Sequence, residues 1–126
     1  MDQLFVYGTL MQGEDRGGLL QQFNARPAHT LGRLWRAPAG YPALAFDPAG
    51  IPIAGEVVRL DSASILMVLD LYEGVGQDLY SRIKIPIQTK DGTEVAWAYV
   101  MSPSQLREAG CVRLDVSDWR NYSRRG

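Results

Sequence analysis

The sequence predicts an α+β fold: a compact, mixed, barrel-like β-sheet with a few flanking helices. Three observations carry that expectation. Short β-forming runs recur along the chain and are separated by Gly, Pro and Asp turns. Two segments show helix boundaries, one after Asp61 and one opened by Ser102-Pro103-Ser104-Gln105. No linker, low-complexity run or internal repeat interrupts the 126 residues. One domain over 1–126 is expected, with a flexible tail from about residue 120. Strands interspersed with few helices favour a curled sheet over a regular doubly wound one.

Taken in order, Leu4 to Tyr7 is apolar and uncharged, which predicts a buried strand ended by Gly8. A helix is expected over Glu14 to Phe23, although Gly17 and Gly18 together cost it about 1–2 kcal/mol. Ala28 to Arg36 reads as a strand, followed by the turn Pro38-Ala39-Gly40-Tyr41-Pro42 and a short strand from Ala43 to Phe46. Asp47-Pro48-Ala49-Gly50 turns the chain into a stronger strand, Ile53 to Leu60. Asp61 is placed to cap a helix from about Ser62 to Tyr72 by accepting an orphan backbone N–H. Ile65, Leu69 and Tyr72 share one face of it, and Leu66 and Met67 widen the apolar surface, so packing on more than one side is expected.

Tyr80 to Ile87 and Val95 to Val100 form the best local hairpin signal, with Asp91-Gly92 as the turn. Ile83, Ile85 and Ile87 alternate with Arg82, Lys84, Pro86 and Gln88, which predicts a core side and a wet side. Pro86 argues for an edge or irregular strand. Ser102 caps the next helix, Pro103 presets its first turn, Gln105 returns a hydrogen bond and Gly110 stops it. Val112 to Val116 then reads as a last strand before Ser117-Asp118-Trp119.

The bulk numbers narrow the function classes. The chain is 46% hydrophobic and 21% charged, enough for a core without metal or disulfide support. A net charge of −1 supplies no general attraction to nucleic acid or an anionic membrane. The end cluster Arg120, Arg124 and Arg125 reads as a solvated tail. Cys111 is the only cysteine, which forbids an intrachain disulfide and suits a reducing compartment. Asp2 and Gln3 lead straight into strand-like sequence without a basic segment and secretory apolar stretch, so a cytoplasmic location is expected. Apolar runs such as Ile65 to Leu69 fall far short of a membrane span. His29 and Cys111 are single and far apart, a poor basis for zinc, and no cofactor or metal is expected.

Chemistry concentrates in two places. Tyr7-Gly8-Thr9-Leu10 lacks the glycine spacing of a dinucleotide fingerprint and the Lys-Ser pair of a Walker loop. A glycine turn after a buried strand can instead aim two or more N–H groups at one oxygen, for a carboxylate or a developing oxyanion; it can also be an ordinary strand end. Glu73 follows a very apolar helix and precedes Gly74. A carboxylate held in a partly dry place acts as a proton acceptor near neutrality, and Asp70, three positions earlier, either shares that role or belongs to a solvated helix end. Tyr80 and Arg82 share one side of a strand, as do Trp97 and Tyr99 on its partner; with Tyr41 they are candidates for aromatic pocket walls or for a satisfied core. Thr9 has no sequence neighbour to activate it as a nucleophile.

In their order and spread these segments resemble the gamma-glutamylcyclotransferase-like family. Phe5-Val6-Tyr7-Gly8-Thr9-Leu10 matches its opening signature, and Gly40-Tyr41-Pro42-Ala43-Leu44 and Gly55-Glu56-Val57 resemble the segments that follow. Leu69-Asp70-Leu71-Tyr72-Glu73-Gly74 matches the stretch with the family's acid/base glutamate. Tyr80-Ser81-Arg82, Trp97-Ala98-Tyr99 and Ser117-Asp118-Trp119 complete the likeness, which spans nearly the whole chain. Ser117 stands where the family often has glycine, and residues 13–18 match loosely, both of which bear on leaving-group specificity.

The resemblance implies a compact barrel and an enzyme that cyclises a gamma-glutamyl amine or amino acid to 5-oxoproline. Glu73 would be the proton shuttle, Tyr7, Gly8, Thr9 and Leu10 would hold the glutamyl group, and Tyr80 would line the pocket. Tyr41, Arg82, Trp97 and Tyr99 are further pocket candidates. A noncatalytic binding or interaction module that keeps the same pocket is the competing expectation. The partner in either case is a small gamma-glutamyl compound rather than nucleic acid or a membrane. Oligomeric state is left open.

Overall fold

A computed structural model of the chain describes residues 2–8, 11, 20 and 23–123. Strand β1 (Gln3–Val6) has Leu4, Phe5 and Val6 all buried. A strand of that composition has no wet face, and the fold gives it none. It pairs antiparallel with β4 (Ile51–Arg59) on one side and parallel with β6 (Gly92–Val100) on the other. β4 also pairs with β2 (Ala25–Arg36), from Ala25↔Val58 to Gly32↔Ile51. β6 pairs with β5 (Ser81–Thr89), from Ser81↔Val100 to Thr89↔Gly92. β5 returns to β2 at His29↔Gln88. The order β2-β4-β1-β6-β5 therefore closes on itself as a five-stranded barrel, in keeping with the barrel-like mixed sheet expected from the sequence.

The closing seam is thin, and Pro86 explains why. It has no N–H to give a ladder, so β5 meets β2 through the His29↔Gln88 pair and through its Pro86 carbonyl, which accepts the Thr30 hydroxyl at 2.8 Å. Thr30 is one of two buried polar side chains among the described residues. The end of β2 leaves the barrel: Gly32 to Arg36 pair with β3 (Pro42–Phe46), and Trp35 and Arg36 with β7 (Val112–Arg113). The β2–β3 turn is closed by Ala37 N–H donating to the Tyr41 carbonyl at 2.9 Å.

Helix α1 (Ala63–Tyr72) is capped by Ser62 rather than Asp61. Ser62 is the extended residue immediately before the first helical turn, and its Oγ accepts the Ser64 N–H at 3.1 Å. The helix also packs on one side only, against expectation: Leu66 and Leu69 are buried, whereas Met67, Val68, Leu71 and Tyr72 are exposed. Helix α2 (Pro103–Ala109) carries the full capping box between Ser102 and Gln105 and stops at Gly110, at φ +71°. The hairpin turn is Lys90-Asp91, one residue earlier than expected, with Gly92 opening β6 at φ +113°. The last strand is confined to Val112–Arg113.

The segment expected to become a tail from about residue 120 starts as helix α3 (Trp119–Ser123). Trp119 is buried against the core, and Arg120 pairs with Asp118 at 3.0 Å and approaches Glu56 at 3.9 Å. Arg120 is thus tied to β4 rather than solvated, because two carboxylates face it. Arg124, Arg125, Thr9, Leu10 and the helix expected over Glu14 to Phe23 lie outside the described residues, except for Leu20 and Phe23, both buried. Ile85 and Ile87 point into the core, as expected, while Ile83 is 37% exposed at the sheet's end. No helix among the described residues is long and apolar enough to cross a membrane.

Candidate active site

The end of β1, the turn before β3 and the end of α1 meet around a cavity of about 340 Å³. Its walls include Val6, Tyr7, Gly8, Tyr41, Pro42 and Glu73, joined by Tyr72, Leu79, Tyr80 and Tyr99. Six candidates from sequence therefore come together: Tyr7, Gly8, Tyr41, Glu73, Tyr80 and Tyr99. Arg82 and Trp97 do not line it. They lie farther along the β5–β6 surface, where the Arg82 guanidinium stacks 4.4 Å from the centre of the Trp97 ring. Thr9 and Leu10 lie outside the described residues. Tyr72 and Leu79 were missed; both flank the left-handed corner after α1, which periodicity does not reveal.

Glu73 is the C-cap of α1, its N–H donating to the Leu69 carbonyl at 2.9 Å. Gly74 follows at φ +66°, a left-handed turn that ends the helix and directs the chain away behind the carboxylate. The return to β5 is pinned by Gln105, whose Nε2 donates to the Asp78 carboxylate at 3.0 Å and to its carbonyl at 3.2 Å. Asp78 is thereby held at φ +58°, an unusual conformation for a residue with a Cβ. Glu73 is half-buried and is the one acidic side chain among the described wall residues.

Gly8 is required for space rather than for an unusual backbone. Its φ is not left-handed, but a Cβ there would lie 2.3 Å from Cγ of Pro42. β1 can approach the Tyr41-Pro42 turn only without a side chain. The Gly8 carbonyl accepts the Met11 N–H at 3.1 Å.

The cavity tyrosines are mostly committed. The Tyr7 hydroxyl donates to the Tyr99 carbonyl at 2.5 Å and accepts the Leu44 N–H at 3.1 Å. Tyr80 donates to the Pro42 carbonyl, and Tyr99 to Asp70 at 2.8 Å. Tyr41 stacks at a tilt against Tyr80, 6.1 Å between ring centres, and its hydroxyl has no hydrogen-bond partner among the described residues. Burial pushes the Tyr7 and Tyr80 phenols far above the usual tyrosine range, and the nearby Glu73 charge adds to both shifts. Burial also raises Tyr41 and Tyr99, and for Tyr99 the hydrogen bond it gives to the Asp70 carboxylate adds to the shift. These phenols stay protonated at neutral pH, so they can orient a ligand but do not accept its protons.

Asp70 does not face the cavity. It takes Arg82 Nε at 2.7 Å and Nη2 at 3.1 Å as a bidentate pair. Burial disfavours its charge, but the Arg82 and Tyr99 hydrogen bonds outweigh that and hold its carboxyl below the usual range. It is therefore a structural anchor, and Glu73 stands alone as the cavity's acid among the described residues. No group of three His, Cys, Asp or Glu side chains gathers as a metal site among them.

Comparisons with known proteins converge on one family. The family profile described as "Gamma-glutamyl cyclotransferase, AIG2-like" matches residues 4–121. The chain belongs to this family. It is 29% identical to the gamma-L-glutamyl-butirosin B gamma-glutamyl cyclotransferase of Niallia circulans, over 97% of this chain and 78% of that one. It is also 29% identical to the putative gamma-glutamylcyclotransferase YkqA of Bacillus subtilis, of which it spans only 41%. The crystal structure of YkqA superposes with a TM-score of 0.75 at 27% identity, covering 97% of this chain and 40% of that one. An AIG2-like protein from Mus musculus shares the fold, with a TM-score of 0.67 at 21% identity over 84% of this chain and 82% of its own. Within the gamma-glutamyl cyclotransferase family, the cavity described above is thus the natural place to look for chemistry.

Proposed function

We propose that this chain is a gamma-glutamyl cyclotransferase that converts a gamma-glutamyl amine or amino acid to 5-oxoproline and releases the amine, with Glu73 as the proton carrier. The observation that carries this reading is the placement of Glu73, half-buried, in the same cavity as the Gly8 strand end and several protonated tyrosines. The substrate's α-amine attacks its own γ-carbonyl carbon. The new C–N bond closes a five-membered ring, so the protein contributes chiefly by holding the attacking conformation. Glu73 takes the proton lost by the amine. The tetrahedral carbon then expels the original amide nitrogen, which receives that proton as the C–N bond breaks. Backbone N–H groups from Gly8 through Leu10 would meet the charge on oxygen. No step requires an oxidant, a metal or a second substrate.

The relatives' names support the reading at the level of the reaction, and the Niallia circulans relative is named for gamma-L-glutamyl-butirosin B. The test is release of 5-oxoproline from a panel of gamma-glutamyl amines and dipeptides. Glu73→Gln should keep the fold and lower kcat by about 10²–10⁴-fold. Undiminished turnover in that variant would sink the assignment. Saturable binding of the same compounds by the wild-type protein without product would instead support a binding module.

A further inference from the structure

We propose that Asp70, clamped by Arg82 and Tyr99, is a positioning residue that sets Glu73 against the Tyr7-Gly8 strand end. The inference rests on the reading of Glu73 as the proton carrier. Its basis is a continuous hydrogen-bonded path between the two halves of the cavity. Arg82 holds both oxygens of Asp70, at 2.7 and 3.1 Å, and the Tyr99 hydroxyl holds one of them at 2.8 Å. The backbone carbonyl of the same Tyr99 accepts the Tyr7 hydroxyl at 2.5 Å, and Tyr7 immediately precedes Gly8. The path thus runs from α1 across β6 to the end of β1.

Two further features make this path a restraint on the end of α1. In the last turn of α1, Leu69 is buried, but Leu71 and Tyr72 are 84% and 53% exposed. Apolar burial of that turn thus falls on Leu69. Asp70 lies three residues before Glu73, in the same turn, and adds a polar attachment to β5 and β6. Arg82 itself lies over the Trp97 ring, 4.4 Å from its centre, which gives the clamp's far end a contact of its own. Asp70 and Arg82 are each about three-quarters buried, with side-chain exposures of 24% and 23%. A proton carrier displaced by about 1 Å loses roughly 10²-fold in rate.

The test is kinetic, on whichever gamma-glutamyl compound the wild-type protein turns over. Asp70→Asn is expected to lower kcat by about 10–100-fold with KM within about threefold of wild type. Tyr99→Phe removes the hydroxyl that faces Asp70 at 2.8 Å and the Leu66 carbonyl at 3.4 Å, without altering charge, and should lower kcat by a smaller factor. In a Glu73→Gln background, Asp70→Asn should have no further effect, because its influence passes through Glu73. A kcat in Asp70→Asn within about twofold of wild type, a rise in KM alone, or an equal loss in the Glu73→Gln background overturns the inference and leaves the proposed activity standing. Full turnover by Glu73→Gln overturns both. If Asp70→Asn does not fold, as judged by circular dichroism, Tyr99→Phe carries the test. A readout independent of turnover is the carboxyl carbon resonance of Glu73, assigned by its loss in Glu73→Gln. Tyr99→Phe should shift or broaden it; an unchanged resonance overturns the clamp.

Discussion

At the scale of single residues, Tyr7, Tyr80 and Tyr99 have hydroxyls committed to the protein and Tyr41 has none such among the described residues, which separates structural from ligand-facing roles. Tyr80 gives its hydroxyl to the buried Pro42 carbonyl. Tyr80→Phe should therefore cost about 1–3 kcal/mol in urea unfolding, because it leaves that carbonyl without a donor. Tyr41 has no such bond among the described residues, so Tyr41→Phe should change stability by less than about 0.5 kcal/mol. Any effect of that variant is expected in KM for a gamma-glutamyl substrate. Gly8→Ala should destabilise by about 1–3 kcal/mol through contact with Pro42. Because the conflict is with that ring and not with the backbone angle, adding Pro42→Ala should recover part of the loss. A double variant no more stable than Gly8→Ala would show that the space argument is wrong.

At the scale of elements, the two helices next to the site are fixed by local chemistry that substitution can resolve. Ser62→Ala should cost about 1 kcal/mol by removing the N-cap acceptor of α1, and Asp61→Ala well under that. Thermal midpoints of the pair would settle which residue caps. The barrel seam is the weaker junction: beside the His29↔Gln88 pair, one hydroxyl, from Thr30, meets the Pro86 carbonyl. Thr30→Val keeps the shape and removes the donor, so a loss of about 1–3 kcal/mol is expected. Much at this scale was legible in the sequence, since every strand from β1 to β6 and both capped helices follow from turn residues, β-branched runs and the Ser-Pro-Ser-Gln signal. Illegible were the side on which α1 packs and the helix at Trp119. An apolar stripe states what can be buried, not whether a partner covers it, and α3 depends on Trp119 finding the core and Arg120 finding Glu56.

At the scale of the whole molecule, acid stability follows from two carboxylates tied to the sheet. Hydrogen bonds from Arg26, Gln3 and Thr89 hold Glu94 down at about 2, and those from Arg82 and Tyr99 lower Asp70. Both are depressed in the folded chain relative to an unfolded carboxyl near 4. Their contribution is therefore fully present above about pH 4–5 and is lost as the pH falls toward 2. The thermal midpoint should decline over that interval, and Glu94→Gln should flatten the acid limb while lowering the plateau near neutrality. An acid limb of unchanged steepness in that variant would count against the assignment.

The sequence by itself determined the family, the barrel-like α+β class and most of its strands, because hydrophobic alternation, turn chemistry and helix capping are local properties. It also singled out Gly8 and Glu73, since a glycine at a strand end and an acid at a helix end are unusual enough to notice. Only the tertiary structure decided that Tyr7, Tyr41, Tyr80 and Tyr99 surround one cavity while Arg82 and Trp97 stand apart from it. Only it showed why Gly8 is glycine, through a proline 34 positions away. It also turned Asp70 from a possible second acid into an anchor. These are facts of distance between segments remote in the chain. Barrel closure fixes such distances, and no local pattern encodes them.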